Sequence, residues 1–167
     1  IKNIEFSNFL SFGQNNFIDF ENLDGISVIE SNPKNFGGKT NVSIDLLLFL
    51  FFGRTTKTRT NIDVFNMFTE VNQVYVKGEI IIDGLDYIVE RIIDRKLNRS
   101  GEYKITNTLN YVKKNEDGSI INLEGEQRRE TEKFITSAIG TEDDFLSTIL
   151  STGDNLNELI ESKPTAR

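Results

Sequence analysis

Cysteine and histidine are both missing from the 167 residues of this sequence. Without cysteine the chain can form neither a disulfide nor a thiolate metal site, which fits a protein of the reducing cytosol. Without histidine it has no imidazole general base, no Ser-His-Asp triad and no histidine-bound zinc. The sequence therefore excludes hydrolases and zinc enzymes that would draw those side chains from this chain alone.

Positive charge is also scarce, because 26 acidic residues outnumber 19 basic ones and the net charge is −7. A domain that binds nucleic acid through its overall charge is expected to be basic, so any contact with DNA must come from a local patch or from a partner. Hydrophobic residues make up 37% and charged residues 27% of the chain, which is typical of a globular domain. The length suffices for one core or for one lobe of a larger assembly.

Long apolar runs are absent too, since the most hydrophobic stretch, residues 44–52, has nine residues and includes Asp45. That is about half of what a membrane-spanning helix requires. No signal peptide is recognisable. We therefore expect this stretch to be a buried helix of a cytoplasmic protein that has no membrane partner.

The chain is organised around the segment that precedes this helix. Residues 26–30 are rich in β-branched side chains and predict a strand, and the polar loop that follows ends in Gly38-Lys39-Thr40. Glycines let backbone N–H groups surround phosphate oxygens, and the N-terminus of the next helix adds partial positive charge. A lysine there reaches the β- and γ-phosphates, and a hydroxyl coordinates Mg²⁺. The pattern predicts a nucleotide-phosphate site; the alternative is a charged turn between a strand and a helix.

The spacing departs from the usual G-x-x-x-x-G-K-[ST] pattern of phosphate loops. Pro33 occupies the position of the first glycine, six residues before Lys39. If the loop begins at Ser31, it is two residues longer than usual. The residue types of a phosphate loop are thus retained, while the regular spacing is not.

Sequence patterns also predict the elements on either side of this segment. Asp83-Gly84 between two β-rich runs is a strong signal for a hairpin turn. Gly140 ends one helical pattern, and Thr141 caps the next, which has acids in its first turn. The predicted strands are residues 2–9, 16–20, 73–82, 85–93, 103–113 and 120–123, and the predicted helices are residues 126–139 and 145–150.

Two charged segments each allow two interpretations. Residues 54–60 contain only arginine, lysine and threonine. They form either a solvated loop or a contact for nucleotide or DNA phosphates. Arg128 and Arg129 are either part of a solvated helix face or a contact for DNA.

Together these segments resemble SMC-like ATPases. The opening Ile4-Glu5-Phe6-Ser7-Asn8-Phe9-Leu10-Ser11-Phe12 is similar to their first strand and turn. Gly38-Lys39-Thr40 with residues 45–53 is similar to their Walker A helix, and residues 144–150 and 163–167 resemble the segment that leads into their coiled coil. Within this family the sequence is most similar to the SbcC-type ATPase subunit of recombination nucleases, especially its phage versions. The resemblance extends over almost the whole chain.

The resemblance implies an α/β fold, a P-loop NTPase of the ABC/SMC type. The chain would be the N-terminal lobe of the ATPase head, with a mixed sheet, antiparallel β-hairpins and C-terminal helices. This lobe divides into a phosphate-loop core (1–70), antiparallel hairpins (71–123) and a helical segment that leads toward a coiled coil (124–163). The family's Walker B carboxylates, signature motif and switch histidine belong to the C-terminal lobe. We therefore expect no catalytic residue here, and essentially no hydrolysis by this lobe alone.

The resemblance also implies the nucleotide contacts. Lys39 would bind the β- and γ-phosphates of ATP, and Thr40 would bind Mg²⁺. The other residues implied near the nucleotide are Asn35, Phe36, Gly37, Gly38 and Asn41, through their amides, and Leu10 and Ser11, through a turn. The family's Q-loop glutamine falls on Gly153, where Asp154 or Thr152 would have to substitute.

By resemblance, ATP and Mg²⁺ would drive head-to-head dimerisation, which would gate a metallo-nuclease on DNA ends. The implied partners are the C-terminal lobe of the same head, a second copy of the head, an SbcD-like nuclease subunit and double-stranded DNA. Two alternatives stay open. One is an SMC- or RecF-like head that clamps DNA without a nuclease, and the other is a scaffold lobe that no longer binds nucleotide.

Overall fold

The computed structural model describes residues 1–32, 37–58 and 60–149. Within these residues six strands form one sheet in the order β2-β1-β3-β4-β5-β6, and each neighbouring pair is antiparallel. The strands are β1 (Asn3–Ser7), β2 (Asn16–Asp19), β3 (Gln73–Ile82), β4 (Leu85–Leu97), β5 (Tyr103–Lys114) and β6 (Ile120–Asn122). The chain leaves the sheet after β2 and returns at β3 beside β1, so the segment between them holds the candidate phosphate loop.

The helices cover one face of this sheet. A π-helical turn (Asn41–Asp45) leads directly into α1 (Leu46–Phe52), which packs against β3 and β4. A 3₁₀-helix (Asn61–Val64) follows, and α2 (Arg128–Ile139) and α3 (Glu142–Thr148) come after the last strand. Among the residues that the structure describes, none of the helices has the length and hydrophobicity of a transmembrane span.

The predicted hairpin turn at Asp83-Gly84 and the predicted helix start at Thr141 are confirmed. Asp83 and Gly84 both have positive φ, 51° and 77°, the conformation of the two-residue turns that match the twist of paired strands. Thr141 caps α3, where its hydroxyl accepts a hydrogen bond from the backbone N–H of Asp144 at 3.2 Å. At the start of α2, the carboxylate of Glu130 accepts a hydrogen bond from the backbone N–H of Gln127 at 3.4 Å, the carboxylate half of a capping box.

The strand predicted at residues 26–30 is wrong for the described chain. No described strand pairs with these residues, and Ile26 and Val28 are 97% and 79% exposed. A β-branched run favours an extended backbone, but a strand forms only where another edge offers hydrogen bonds. No described strand lies beside this segment, so it is an exposed connection without strand pairing.

Close packing places α1 on the sheet. A Cβ atom added at Gly78 of β3 would lie 2.5 Å from Cδ2 of Leu50, so the glycine makes room for the helix. In the same last turn of α1, Phe145 of α3 packs against Phe51 and Phe52, with ring centroids 5.5 and 5.6 Å apart. Helix α1 is therefore fixed on two sides by apolar contacts.

Arg91 of β4 fixes the C-terminal end of α1. Its guanidinium is fully buried; Nε donates to the carbonyl of Leu50 at 2.8 Å, and Nη2 donates to the carbonyl of Phe51 at 2.9 Å. Its Nη1 lies 3.5 Å from Glu132 of α2. Burial lowers the pKa of Arg91 to about 10. Gly53 ends the helix with φ of 69°, where a Cβ atom would lie 3.0 Å from Nη1.

We predict that Arg91→Met lowers the free energy of unfolding by about 3 kcal/mol, because two buried carbonyl groups lose their donors. Lys96→Met is a matched control on the same strand, since Lys96 is exposed. The control should change stability by no more than about 0.5 kcal/mol. Urea unfolding followed by far-UV circular dichroism measures both, and equal losses in the two variants would contradict the capping role of Arg91.

A candidate phosphate-binding site

Two glycines shape the end of the candidate phosphate loop. A Cβ atom at Gly37 would lie 2.3 Å from Cβ of Ser31, and one at Gly38 would lie 2.5 Å from Oγ of Ser11. Gly38 also has φ of 63°, a region that other residues rarely adopt. The backbone therefore approaches its neighbours more closely than any side chain would allow, which is the use of glycine in a loop that surrounds phosphate.

A cavity of about 280 Å³ lies at this loop. Lys39 and Lys57 supply positive charge on its walls, and Thr40 and Ser31 supply hydroxyls. Lys39 and Thr40 are exposed, directly before the π-helical turn that begins at Asn41. The cavity lies at the lower end of the usual range for small-molecule sites, about 300–1,000 Å³, which suits the phosphate end of a nucleotide.

Asn41 joins three segments beside the cavity. Its side chain is 4% exposed, and its Nδ2 donates to Oγ of Ser11 at 2.9 Å. Its Oδ1 accepts a hydrogen bond from Nζ of Lys57. The turn after β1, the helix start and the loop after α1 are thus held together at one amide side chain.

Asp45 ties the loop after α1 to the same helical turn. Its side chain is fully buried, and Oδ1 accepts hydrogen bonds from both the backbone N–H and the Oγ1 of Thr56, each at 2.7 Å. The Nζ of Lys57 lies 3.9 Å from Oδ2. These contacts hold Lys57 where it lines the cavity.

A larger cavity, about 610 Å³, adjoins the first and shares Lys57 with it. Arg54 and three threonines also line it, and Glu142 of α3 lies 3.3 Å from Nη1 of Arg54. The described part of the charged loop therefore faces two neighbouring cavities.

The structure brings together most of the residues that the sequence places near a nucleotide. Gly37, Gly38, Lys39 and Thr40 line one cavity, and Asn41 contacts Ser11 beside it. Leu10 has φ of 51° and donates its N–H to the carbonyl of Val64 at 2.8 Å, so it belongs to the neighbouring turn and not to the cavity wall. The residues proposed for this site or for the Q-loop that lie outside the described residues are Asn35, Phe36, Thr152, Gly153 and Asp154.

Sequence reasoning missed the roles of Asp45 and Arg91. Asp45 is the one charged residue in an apolar run, and a buried charge in such a run indicates a specific partner. Arg91 alternates with Val89 and Ile93, two buried residues of β4, so its position in the strand points inward. Both signals are visible in the sequence, but neither identifies the partner.

The donors at the cavity fit Mg²⁺–nucleotide. Mg²⁺ prefers oxygen ligands and commonly combines one or two protein groups with phosphate oxygens, and the exposed hydroxyl of Thr40 is such a group. The described residues contain no cluster of three or more acidic, histidine or cysteine side chains that could hold a metal. A cation at this cavity would therefore take most of its ligands from phosphate and water.

Sequence comparison identifies a viral relative of this chain. No protein-family model matches the chain. The uncharacterized protein R555 of Acanthamoeba polyphaga mimivirus is 32% identical over 153 residues, which cover 89% of this chain and 11% of R555. The chain thus spans about a tenth of the length of this relative.

Among solved structures, one from a study of ATP-driven dimerization and DNA-stimulated activation of SMC ATPases aligns with a TM-score of 0.63 at 18% identity. The alignment covers 100% of this chain and 94% of that chain. RecF–ATP of the RecFOR pathway aligns with a TM-score of 0.47 at 19% identity, over 75% of this chain and 28% of that one. The chain has the fold of the N-terminal lobe of an SMC-type ABC ATPase head, which confirms the fold class predicted from the sequence.

We predict that Gly38→Ala costs about 1–2 kcal/mol of stability, because alanine resists the left-handed conformation. Its Cβ would also displace the Ser11 hydroxyl from Asn41. Gly13→Ala is the control, since a Cβ there meets nothing within 4 Å. The side-chain amide signals of Asn41 in NMR spectra should shift in the first variant only; unchanged signals would contradict the tight loop.

Proposed function

We propose that this chain is the ATP-binding lobe of an SMC-like ATPase head. The observation that carries the proposal is the cavity at the start of a buried helix, lined by Gly37, Gly38, Lys39 and Thr40 and by a second cation, Lys57. A nucleoside triphosphate is typically bound by small residues, a lysine, a hydroxyl and a helix N-terminus, and all four are present here. The SMC-type fold gives this chemistry its structural setting.

Each group has a distinct task in this proposal. Lys39 neutralises the β- and γ-phosphates, and the loop amides donate hydrogen bonds to their oxygens. Thr40 orients Mg²⁺, which when bound neutralises the charge that develops on the phosphates. Lys57, which lines the same cavity from the loop after α1, adds a second positive charge to the phosphate end. This favours the phosphate-contact interpretation of the charged loop.

The proposed lobe needs a partner to become a complete head. The segment at residues 26–30 pairs with no described strand, and its apolar side chains Ile26, Val28 and Ile29 are exposed. Such a segment suits pairing with a strand from elsewhere. We assign that strand to the C-terminal lobe of the same head, with a second head completing the nucleotide site by dimerisation.

The finer proposal is an SbcC-like head in the cytoplasm that gates a metallo-nuclease on double-stranded DNA ends. The resemblance of residues 4–12 and of the Walker A helix to SbcC-type subunits supports it. Co-purification of the full-length protein with a phosphoesterase subunit tests it. A stable complex with such a subunit would support a nuclease role, and a head that binds DNA with no such subunit would favour the SMC- or RecF-like clamp.

We predict that Lys39→Ala weakens ATP binding by the complete head roughly tenfold to a hundredfold, since a charged hydrogen-bond donor to phosphate is lost. Lys114→Ala removes an exposed lysine at the far end of β5 and should bind as the wild type does. Isothermal titration calorimetry with ATPγS and Mg²⁺ measures both. Turnover by the isolated lobe that Lys39→Ala abolishes would refute the assignment of catalysis to another lobe.

We predict that Val28→Asp prevents assembly of the two lobes when they are expressed as separate chains. A charge on a strand that becomes buried in the joint sheet carries a desolvation cost without a partner. Ile81→Asp is the matched control, because Ile81 is 52% exposed on β3. Size-exclusion chromatography should show co-elution for the control and separation for Val28→Asp, and co-elution of both would exclude this segment from the lobe interface.

A further inference from the structure

The carboxylate of Asp45 is the buried charge that the binding site does not yet explain. Its side chain is 0% exposed, and the other residues of 44–52 are all apolar. Oδ1 is satisfied by the two donors of Thr56, but Oδ2 accepts no hydrogen bond from any described residue. The nearest cation to Oδ2 among the described ion pairs is Nζ of Lys57, at 3.9 Å.

Stability alone is a weak reason to keep this charge. Keeping an ionised carboxylate out of water costs free energy, and an apolar group of similar size at a buried charged position is often neutral or stabilising. An apolar residue at position 45 would continue the packing of Leu46 and Leu48, which are both buried. The carboxylate is therefore better explained by the residues that it positions, Thr56 and Lys57, than by a contribution to the stability of the core.

The π-helical turn gives a second, independent indication. It spans Asn41–Asp45, directly after Lys39 and Thr40, and α1 follows it without a break. A π-turn inserts one extra residue into a helix and is frequent at functional sites. Here it lets Asn41 and Asp45 both reach Lys57, while the following residues keep their apolar side chains on the sheet.

Lys57 is the side chain on which these contacts converge. A lysine has three donors and many rotamers, so a free one spends little time in any single orientation. Asn41 accepts one of its hydrogen bonds, and Asp45 attracts its charge from the other side. The remaining donors of Lys57 are available to the cavity that it shares with Lys39.

We propose that Asp45 is a positioning residue for nucleotide binding, which acts through Thr56 and Lys57. Its Oδ1 anchors the loop after α1 by two hydrogen bonds, and its Oδ2 holds the ammonium group of Lys57 toward the phosphate cavity. Asp45 itself does not touch the nucleotide. This inference rests on the proposed function, because it assumes that the cavity takes phosphate.

Asp45→Asn in the full-length protein removes the negative charge of residue 45 and keeps the oxygen that accepts the hydrogen bonds of Thr56. The amide oxygen can still accept the hydrogen bonds of Thr56, whereas the amide nitrogen would face Lys57 without attracting it. We expect about a tenfold loss of ATP affinity, the size of one charge-assisted contact, with an unchanged melting temperature. The loss should shrink at high salt, because the contribution of the partly exposed Lys57 is screened there.

The matched control is Asp117→Asn, which removes the same charge from the exposed turn between β5 and β6. Asp117 accepts hydrogen bonds from the backbone N–H and the hydroxyl of Ser119, as Asp45 does from Thr56, and makes no described contact with Lys57. It should bind ATP with wild-type affinity at every salt concentration. An equal loss in both variants would reflect net charge alone and would overturn the positioning role.

A double-mutant cycle with Lys57→Met separates positioning from a structural effect. If Asp45 acts through Lys57, Asp45→Asn should cause no further loss of affinity in the Lys57→Met background. The same loss in both backgrounds, or wild-type affinity of Asp45→Asn alone, would overturn the inference. Wild-type affinity of both Lys39→Ala and Lys57→Met would overturn the proposed function itself, and the role of Asp45 with it.

Discussion

The buried guanidinium of Arg91 is the contact on which the candidate site depends most. A helix leaves its last carbonyl groups without intrahelical donors and carries partial negative charge at that end. Arg91 satisfies two of these groups, on Leu50 and Phe51, and brings a positive charge to the same place. Because Arg91 belongs to the middle of β4, the helix is fixed to the sheet at its C-terminal end, and its N-terminal end is thereby aimed at the phosphate loop.

The same arginine connects the phosphate-loop helix to the helices that follow the sheet. Its Nη1 faces Glu132 of α2, which also pairs with Arg128 at 3.3 Å. Phe145 of α3 packs on the end of α1 in the same region. A displacement of α1 would therefore disturb both an ion pair and an aromatic cluster, so α1, α2 and α3 are held together at the C-terminal end of α1.

Local signals made much of the fold predictable, because they act over a few residues. Asp83-Gly84 requires positive φ at both positions, and Thr141 with Asp144 satisfies the donors of its own helix start. The strand at residues 26–30 failed because strand pairing depends on an edge that sequence periodicity does not show. For the site, the Gly-Lys-Thr motif identified the cavity. The roles of Asp45 and Arg91 were not predictable, because Asp45 binds Thr56, 11 residues away, and Arg91 binds Phe51, 40 residues away.

The carboxylates near the two cavities also explain why a complete ATPase would need another lobe. A general base must be free to accept a proton from water, and its pKa should lie near the working pH. Among the described residues, Asp45 accepts hydrogen bonds from Thr56, and Glu142 pairs with Arg54. Hydrogen bonds from Thr60 and Thr58 lower the pKa of Asp63, which makes it a poorer base. Each of these acids already contacts the charged loop, so in the ATPase head that we propose the attacking water would be activated by a carboxylate of another lobe.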